Sequence, residues 1–160
     1  MTNNKIIWIL LRLSLAWIML WAFFDKVFGL GFSTAPEKAW LAGNSPTTGF
    51  LKGVSGPFAP IYNNLAGNPL IDWLFMLGLL LIGLALLLGI VIKIASYSGA
   101  VFMLIMWSAS IWPKTNPFLD EHLVYVLLFL IFATLPIGDW FGLGKWWKST
   151  ALVKKYKFLE

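Results

Sequence analysis

Four apolar runs constrain this chain more than anything else in it. They lie at about 6–28, 69–92, 95–112 and 117–136. As an α-helix, about 20 residues cover the roughly 30 Å hydrocarbon core of a bilayer. Composition agrees with that reading. Apolar residues make up 59% of the chain and charged residues only 12%, against about a quarter charged in soluble domains. A soluble domain this apolar would expose large greasy patches and aggregate. Ten Trp in 160 residues also suit a membrane protein, because Trp favours the bilayer–water boundary. The expected fold is all-α: an integral membrane four-helix bundle forming a single transmembrane domain over residues 1–160.

The first run is too long for the apolar core of a cleaved signal peptide, and no small-x-small site follows it. Arg12 sits well inside it. An Arg at membrane depth costs about 2.5–3.5 kcal/mol on insertion scales and faces protein or water, or snorkels to the interface. Asp139 is its candidate ion-pair partner at the inner face. Asp25 and Lys26 mark the far end of the run. Residues 29–68 then form a connection too long for a plain loop, so short interfacial helices are expected as an extracytoplasmic cap. Thr34-Ala35-Pro36-Glu37 reads as a capping box with Gly43 as the stop. Ser45-Pro46 reads as a second start ending at Gly53, and Phe58–Ala66 as a third piece closed by Gly67.

The second run carries Gly78, Gly83, Ala85 and Gly89, a small-residue pattern that lets helix backbones approach. Lys93 marks a tight turn. On the third run Ser96, Gly99, Ala100, Met103, Met106, Trp107 and Ser110 recur at helical spacing. Met106 and Trp107 could wall an apolar slot, or simply pack against a neighbouring helix.

Two runs open on the same pattern, Asn68-Pro69-Leu70-Ile71-Asp72 and Asn116-Pro117-Phe118-Leu119-Asp120. Each reads as a helix start: Asn as N-cap, Pro at the first helical position, an acid facing the positive end of the helix dipole. The repeat also suggests a duplicated hairpin. The second copy continues into Glu121-His122, with Tyr125 one turn on. Asp25, Lys26, Asp72, Trp107, Lys114, Asp120, Glu121, His122 and Tyr125 then gather at one end of the bundle. They either neutralise one another, Lys26 with Asp72 or Asp120 for example, or rim a pocket for a polar or quinone-like ligand.

Lysines set the expected orientation. Lys5, Lys93, Lys145, Lys148, Lys154, Lys155 and Lys157 share one side, and Lys26, Lys38, Lys52 and Lys114 the other. The positive-inside rule puts both termini in the cytoplasm of a multi-pass cell-membrane protein. Residues 139–160 read as an interfacial anchor with a basic tail. Basic residues beside a membrane helix point to lipid, not nucleic acid. The absence of Cys excludes disulfides, thiol chemistry and Fe–S clusters in this chain. One His argues against a tetrahedral metal site, and no covalent cofactor is expected.

Taken in order, Arg12-Leu13-Ser14-Leu15, Leu20-Trp21-Ala22-Phe23-Phe24-Asp25-Lys26-Val27-Phe28-Gly29, Asn68–Trp73 with Met76-Leu77-Gly78, Leu88-Gly89, Asn116–His122 and Gly142-Leu143-Gly144-Lys145-Trp146-Trp147 resemble the DoxX/DoxD family over nearly the whole chain. DoxD is the small membrane subunit of a thiosulfate:quinone oxidoreductase, which oxidises thiosulfate to tetrathionate and reduces quinone. The resemblance therefore implies a quinone-linked membrane subunit with quinone as ligand and a second oxidoreductase subunit as partner. Homo-oligomers are compatible with it. Many family members carry Glu in the second helix, where this chain has Leu79 or Leu80. On this reading thiosulfate, a dianion, would use Lys26, Lys38, Lys52 and Lys114. The alternatives are a non-catalytic membrane scaffold for a soluble redox partner, and a small transporter or lipid-binding bundle.

Overall fold

The computed structural model describes residues 3–113 and 116–159. Nine α-helices occur among them: α1 (Asn3–Phe28), α2 (Thr48–Gly53), α3 (Ala59–Leu65), α4 (Pro69–Leu88), α5 (Ile92–Ala109), α6 (Glu121–Thr134), α7 (Ile137–Trp140), α8 (Gly144–Ser149) and α9 (Ala151–Lys155). Single 3₁₀ turns occupy Pro36–Lys38, Trp40–Ala42 and Lys157–Leu159. Helices α1, α4 and α5 are long and apolar enough to cross a membrane, and α6 is a shorter apolar helix. The protein is an all-α membrane bundle.

Packing follows small residues. Helix α1 lies mainly on α4, α5 mainly on α6, and a lighter α4–α5 contact joins the pairs. A Cβ on Gly99 would come 2.3 Å from the Phe129 ring, and one on Gly83 2.8 Å from Leu20. Only glycine permits these approaches. Met19, Met76, Leu86, Phe129 and Phe132 fill the shared core. Trp17, Leu74, Leu81, Val101 and Leu127 remain exposed on its outside, as lipid-facing side chains must be.

The cap lies over one end, which we call the cap end; the termini and the α4–α5 turn form the tail end. The expected first cap helix is two 3₁₀ turns: Pro36–Lys38 ends at Ala39, and Gly43 stops Trp40–Ala42 in a left-handed conformation, φ +86°. Helix α2 ends at Gly53 as expected. The capping box does not form: no side chain caps the Pro36 turn. Helix α2 starts later than Ser45-Pro46, at Thr48 with Thr47 as N-cap, and Ser45 supports it from outside, its Oγ accepting the Thr48 amide at 3.0 Å.

Several boundaries differ from expectation; α4 ends at Leu88 and not 92, and α5 at Ala109 and not 112. The tight turn sits at 89–91, so α5 begins at Ile92, ahead of residue 95. Helix α6 begins at Glu121, not Pro117. Asn116 forms a local turn instead, its Oδ1 accepting the Phe118 and Leu119 amides, each at 3.0 Å. Asp120 is the N-cap, accepting from the His122 and Leu123 amides at 3.1 and 3.3 Å.

Candidate functional site at the cap end

The acids expected to share one rim divide into two jobs. Asp25, buried at the end of α1, accepts from Ser33 Oγ at 2.6 Å and from the Ser33 and Phe32 amides at 3.0 and 3.2 Å. It fixes the first bend of the cap. Asp72, also buried, accepts on Oδ1 from Ser45 Oγ at 2.8 Å and from Thr47 Oγ1, which ties the middle of the cap to α4. Trp40 on Trp73, edge to face at 4.7 Å, reinforces that seam. Tyr62 secures the last part, donating to the Ile105 carbonyl at 3.0 Å beside Ser108. A buried carboxyl left without donors is costly. The cap's Ser33, Ser45 and Thr47 supply those donors.

Asp120, Glu121 and His122 are placed differently. They line an open cavity of about 450 Å³ between the start of α6, the end of α5 and the cap. Gly49, Phe50 and Ser55 form the cap wall, and Ala109, Ser110 and Trp112 the α5 wall. His122 Nδ1 is 2.8 Å from Asp120 Oδ2. With Asp120 accepting at Nδ1, the other ring nitrogen of neutral His122 is a base, and in the imidazolium it is a donor.

A second cavity of about 270 Å³ adjoins the first. It is almost wholly apolar, running under the cap between α4 and α5, with Leu51, Phe75, Phe102 and Met106 among its walls. Phe50 and Ala109 belong to both cavities. A polar compartment and a greasy one thus share a partition.

Other expected site residues lie elsewhere. Trp107 lines neither cavity; its Nε1 donates to the Phe118 carbonyl at 2.9 Å and anchors the 116–119 turn. Met106 does wall the apolar compartment. Tyr125 is half-buried against the core. Lys26 is half-buried, lines neither cavity, and makes no ion pair among the described residues; its expected pairing with Asp72 or Asp120 is replaced by the hydroxyl and histidine partners above. Lys114 lies outside the described residues. Among the described residues, no three His, Cys, Asp or Glu side chains cluster as a metal site.

At the tail end, the Arg12–Asp139 pair does not form. Asp139 binds Lys148 at 2.7 Å. Arg12 is wholly buried, and its Nη1 donates to the Ile137 carbonyl at 3.0 Å. It reached the expected segment but took a backbone acceptor two residues earlier. Gly89 makes room: a Cβ there would sit 2.8 Å from Nη1.

The Ser and Thr partners of the buried acids, and the cap wall of the cavity, were not singled out in sequence. A signal existed: Ser33, Thr34, Ser45, Thr47 and Thr48 concentrate hydroxyls in the one segment that must cover two acids. Of Leu79 and Leu80, the two candidates for the second-helix acid position, Leu79 is buried in the apolar core and Leu80 is half-buried.

No curated protein and no solved structure matches the chain. The DoxX family model matches residues 7–112, which spans α1, the cap, α4 and α5 and stops short of the Asp120–His122 wall. With that match over more than half its length, this membrane protein belongs to the DoxX family.

Proposed function

We propose that the protein is the membrane subunit of a quinone-linked oxidoreductase and that it holds a quinone ring in the cap-end cavity. One observation carries the reading: a polar cavity bearing a carboxyl–imidazole pair abuts an apolar cavity through Phe50 and Ala109. A quinone has that same division, with carbonyls at one end and a hydrocarbon chain at the other. Bound sites of this kind combine apolar walls with a few placed polar groups. Reduction to the quinol takes two electrons and two protons. Protonated His122 would deliver one proton to a carbonyl oxygen, Asp120 would stabilise the imidazolium before transfer, and water entering the open cavity would supply the second proton to the other oxygen. The electrons come from a second subunit or a bound redox molecule.

Thiosulfate as the electron donor is a finer form of the proposal. Among the described residues, the cavity lining carries two carboxyl groups and neither lysine nor arginine, which suits a neutral ring better than a dianion. Thiosulfate would then act elsewhere, against Lys26, Lys38 or Lys52, or on the partner. The lysine distribution supports a cytoplasmic tail end and an extracytoplasmic cap in the cell membrane.

Quenching of Trp fluorescence by a short-chain quinone in detergent tests the site. Wild type should bind saturably, and His122→Ala should weaken binding about tenfold, the equivalent of one hydrogen bond. Equal affinity in the two proteins would remove the quinone from this cavity.

A further inference from the structure

The tail end carries a surface that the cap-end site does not use. Helices α7 to α9 and the last 3₁₀ turn fold across the ends of α1, α4 and α5. Backbone contacts hold them there: the Leu143 amide donates to the Leu88 carbonyl at 2.8 Å, and Gly142 and Gly144 lie too close to Leu88 and Gly138 to accept a Cβ. Val153 is buried, and Trp147 Nε1 donates to the Leu159 carbonyl at 2.7 Å. The segment is docked, so what it leaves outward is fixed by the fold.

Outward lie large apolar side chains and lysines, interleaved. Trp146 and Phe158 are 59% and 67% exposed, and Leu152 is also exposed. Lys145, Lys154, Lys155 and Lys157 are exposed between them. From Trp140 to Leu159 the sequence has no acid, and Asp139, the acid just before, is already taken by Lys148.

We propose that this surface binds the headgroups of anionic phospholipids. Exposed Trp and Phe beside Lys is the arrangement that sits at headgroup level, rings toward the acyl chains and ammonium groups toward phosphate. A basic cluster beside a spanning helix gains affinity for each lysine near an anionic surface. Charge alone would also suit an acidic protein. The position decides for lipid: the segment lies across the ends of the long apolar helices, and its exposed aromatic groups alternate along the sequence with its exposed lysines.

Native mass spectrometry of the full-length protein released from detergent tests this. With phosphatidylglycerol and phosphatidylcholine supplied equally, phosphatidylglycerol should be retained preferentially, and the preference should shrink as salt rises. The combined variant Lys154→Gln, Lys155→Gln, Lys157→Gln should reduce phosphatidylglycerol retention about tenfold or more while leaving phosphatidylcholine retention and the thermal midpoint unchanged. Trp146→Ser, a second exposed site, should lower retention of both lipids. Equal retention of the two lipids by wild type would overturn the proposal. So would undiminished phosphatidylglycerol preference in the triple variant, or lysine-dependent capture of an acidic protein from native membranes without any lipid preference.

Discussion

At 68–72 and at 116–120 the chain carries the same pattern, Asn-Pro-x-x-Asp, at the same end of the bundle, and folds it in two ways. In the first copy Asn68 Oδ1 accepts the Leu70 amide at 2.9 Å and the helix begins at Pro69. Asp72 then lies in the first turn, and its carboxyl is claimed by Ser45 and Thr47 of the cap. In the second copy Asn116 closes a local turn, and the helix waits for Asp120. The difference lies in what tertiary partners reach each copy. A helix from Pro117 would need the Phe118 carbonyl for the His122 amide. Trp107 Nε1 donates to that carbonyl and holds Phe118 in the turn, and Asp120 Oδ1 takes the amide. One acid becomes a fastener for the cap, the other a cap for its own helix and a partner for His122.

The largest effect should come from breaking the first copy. Asp72→Ala strands two hydroxyls, one of them on the buried Thr47, and removes two hydrogen bonds to a charged acceptor. At about 1.5–3 kcal/mol each before relaxation, the loss should be roughly 2–4 kcal/mol. Protease cutting within 34–65 should accelerate while α5 and α6 stay protected. Uniform loss of protection across the chain would mean that Asp72 holds the bundle, not the cap.

Breaking the second copy should cost less and affect a different property. Asp120→Ala removes an N-cap worth about 0.5–2 kcal/mol. Asp120→Asn keeps a cap oxygen, so the thermal midpoint should largely recover. Quinone binding should remain weakened in both variants, because neither offers His122 a carboxylate. If Asn restored stability and binding together, the Asp120–His122 contact would matter only for the helix start.

The three long apolar helices and the shorter fourth were legible in sequence, because lipid leaves few options for long apolar runs. The single rim of ionisable groups is not what folds, since Lys26 lines neither cavity and Asp25 and Asp72 bind the cap. Local punctuation was legible where one residue decides it, as at Gly43 and Gly53. Partner choice was not. Nothing near Asp72 in sequence names Ser45 or Thr47, 25 or more residues away, and nothing near Arg12 names the Ile137 carbonyl. The Asp120–His122 pair was hidden for a sharper reason. Residues two apart do not face each other on a helix, so a helix starting at Pro117 forbids the contact. It exists only because Asp120 stands outside the helix.

That dependence runs through Trp107, which yields the smallest and most discriminating effect. Trp107→Phe keeps most of the ring's bulk and removes the N–H that holds the Phe118 carbonyl. The net loss is one hydrogen bond, about 0.5–1.5 kcal/mol, so the thermal midpoint should hardly move. The freed carbonyl can now accept the His122 amide, and the second copy can fold as the first does, with Asp120 drawn into the first turn. Amide exchange at Asp120 and Glu121 should slow as the helix grows toward Pro117, and the His122 ring nitrogen signals should shift as Nδ1 loses its carboxyl partner. Binding in the polar cavity would weaken although no lining residue has changed. Unaltered exchange from Phe118 to Leu123 would mean that the Asn116 turn alone, and not the indole, keeps the two copies apart.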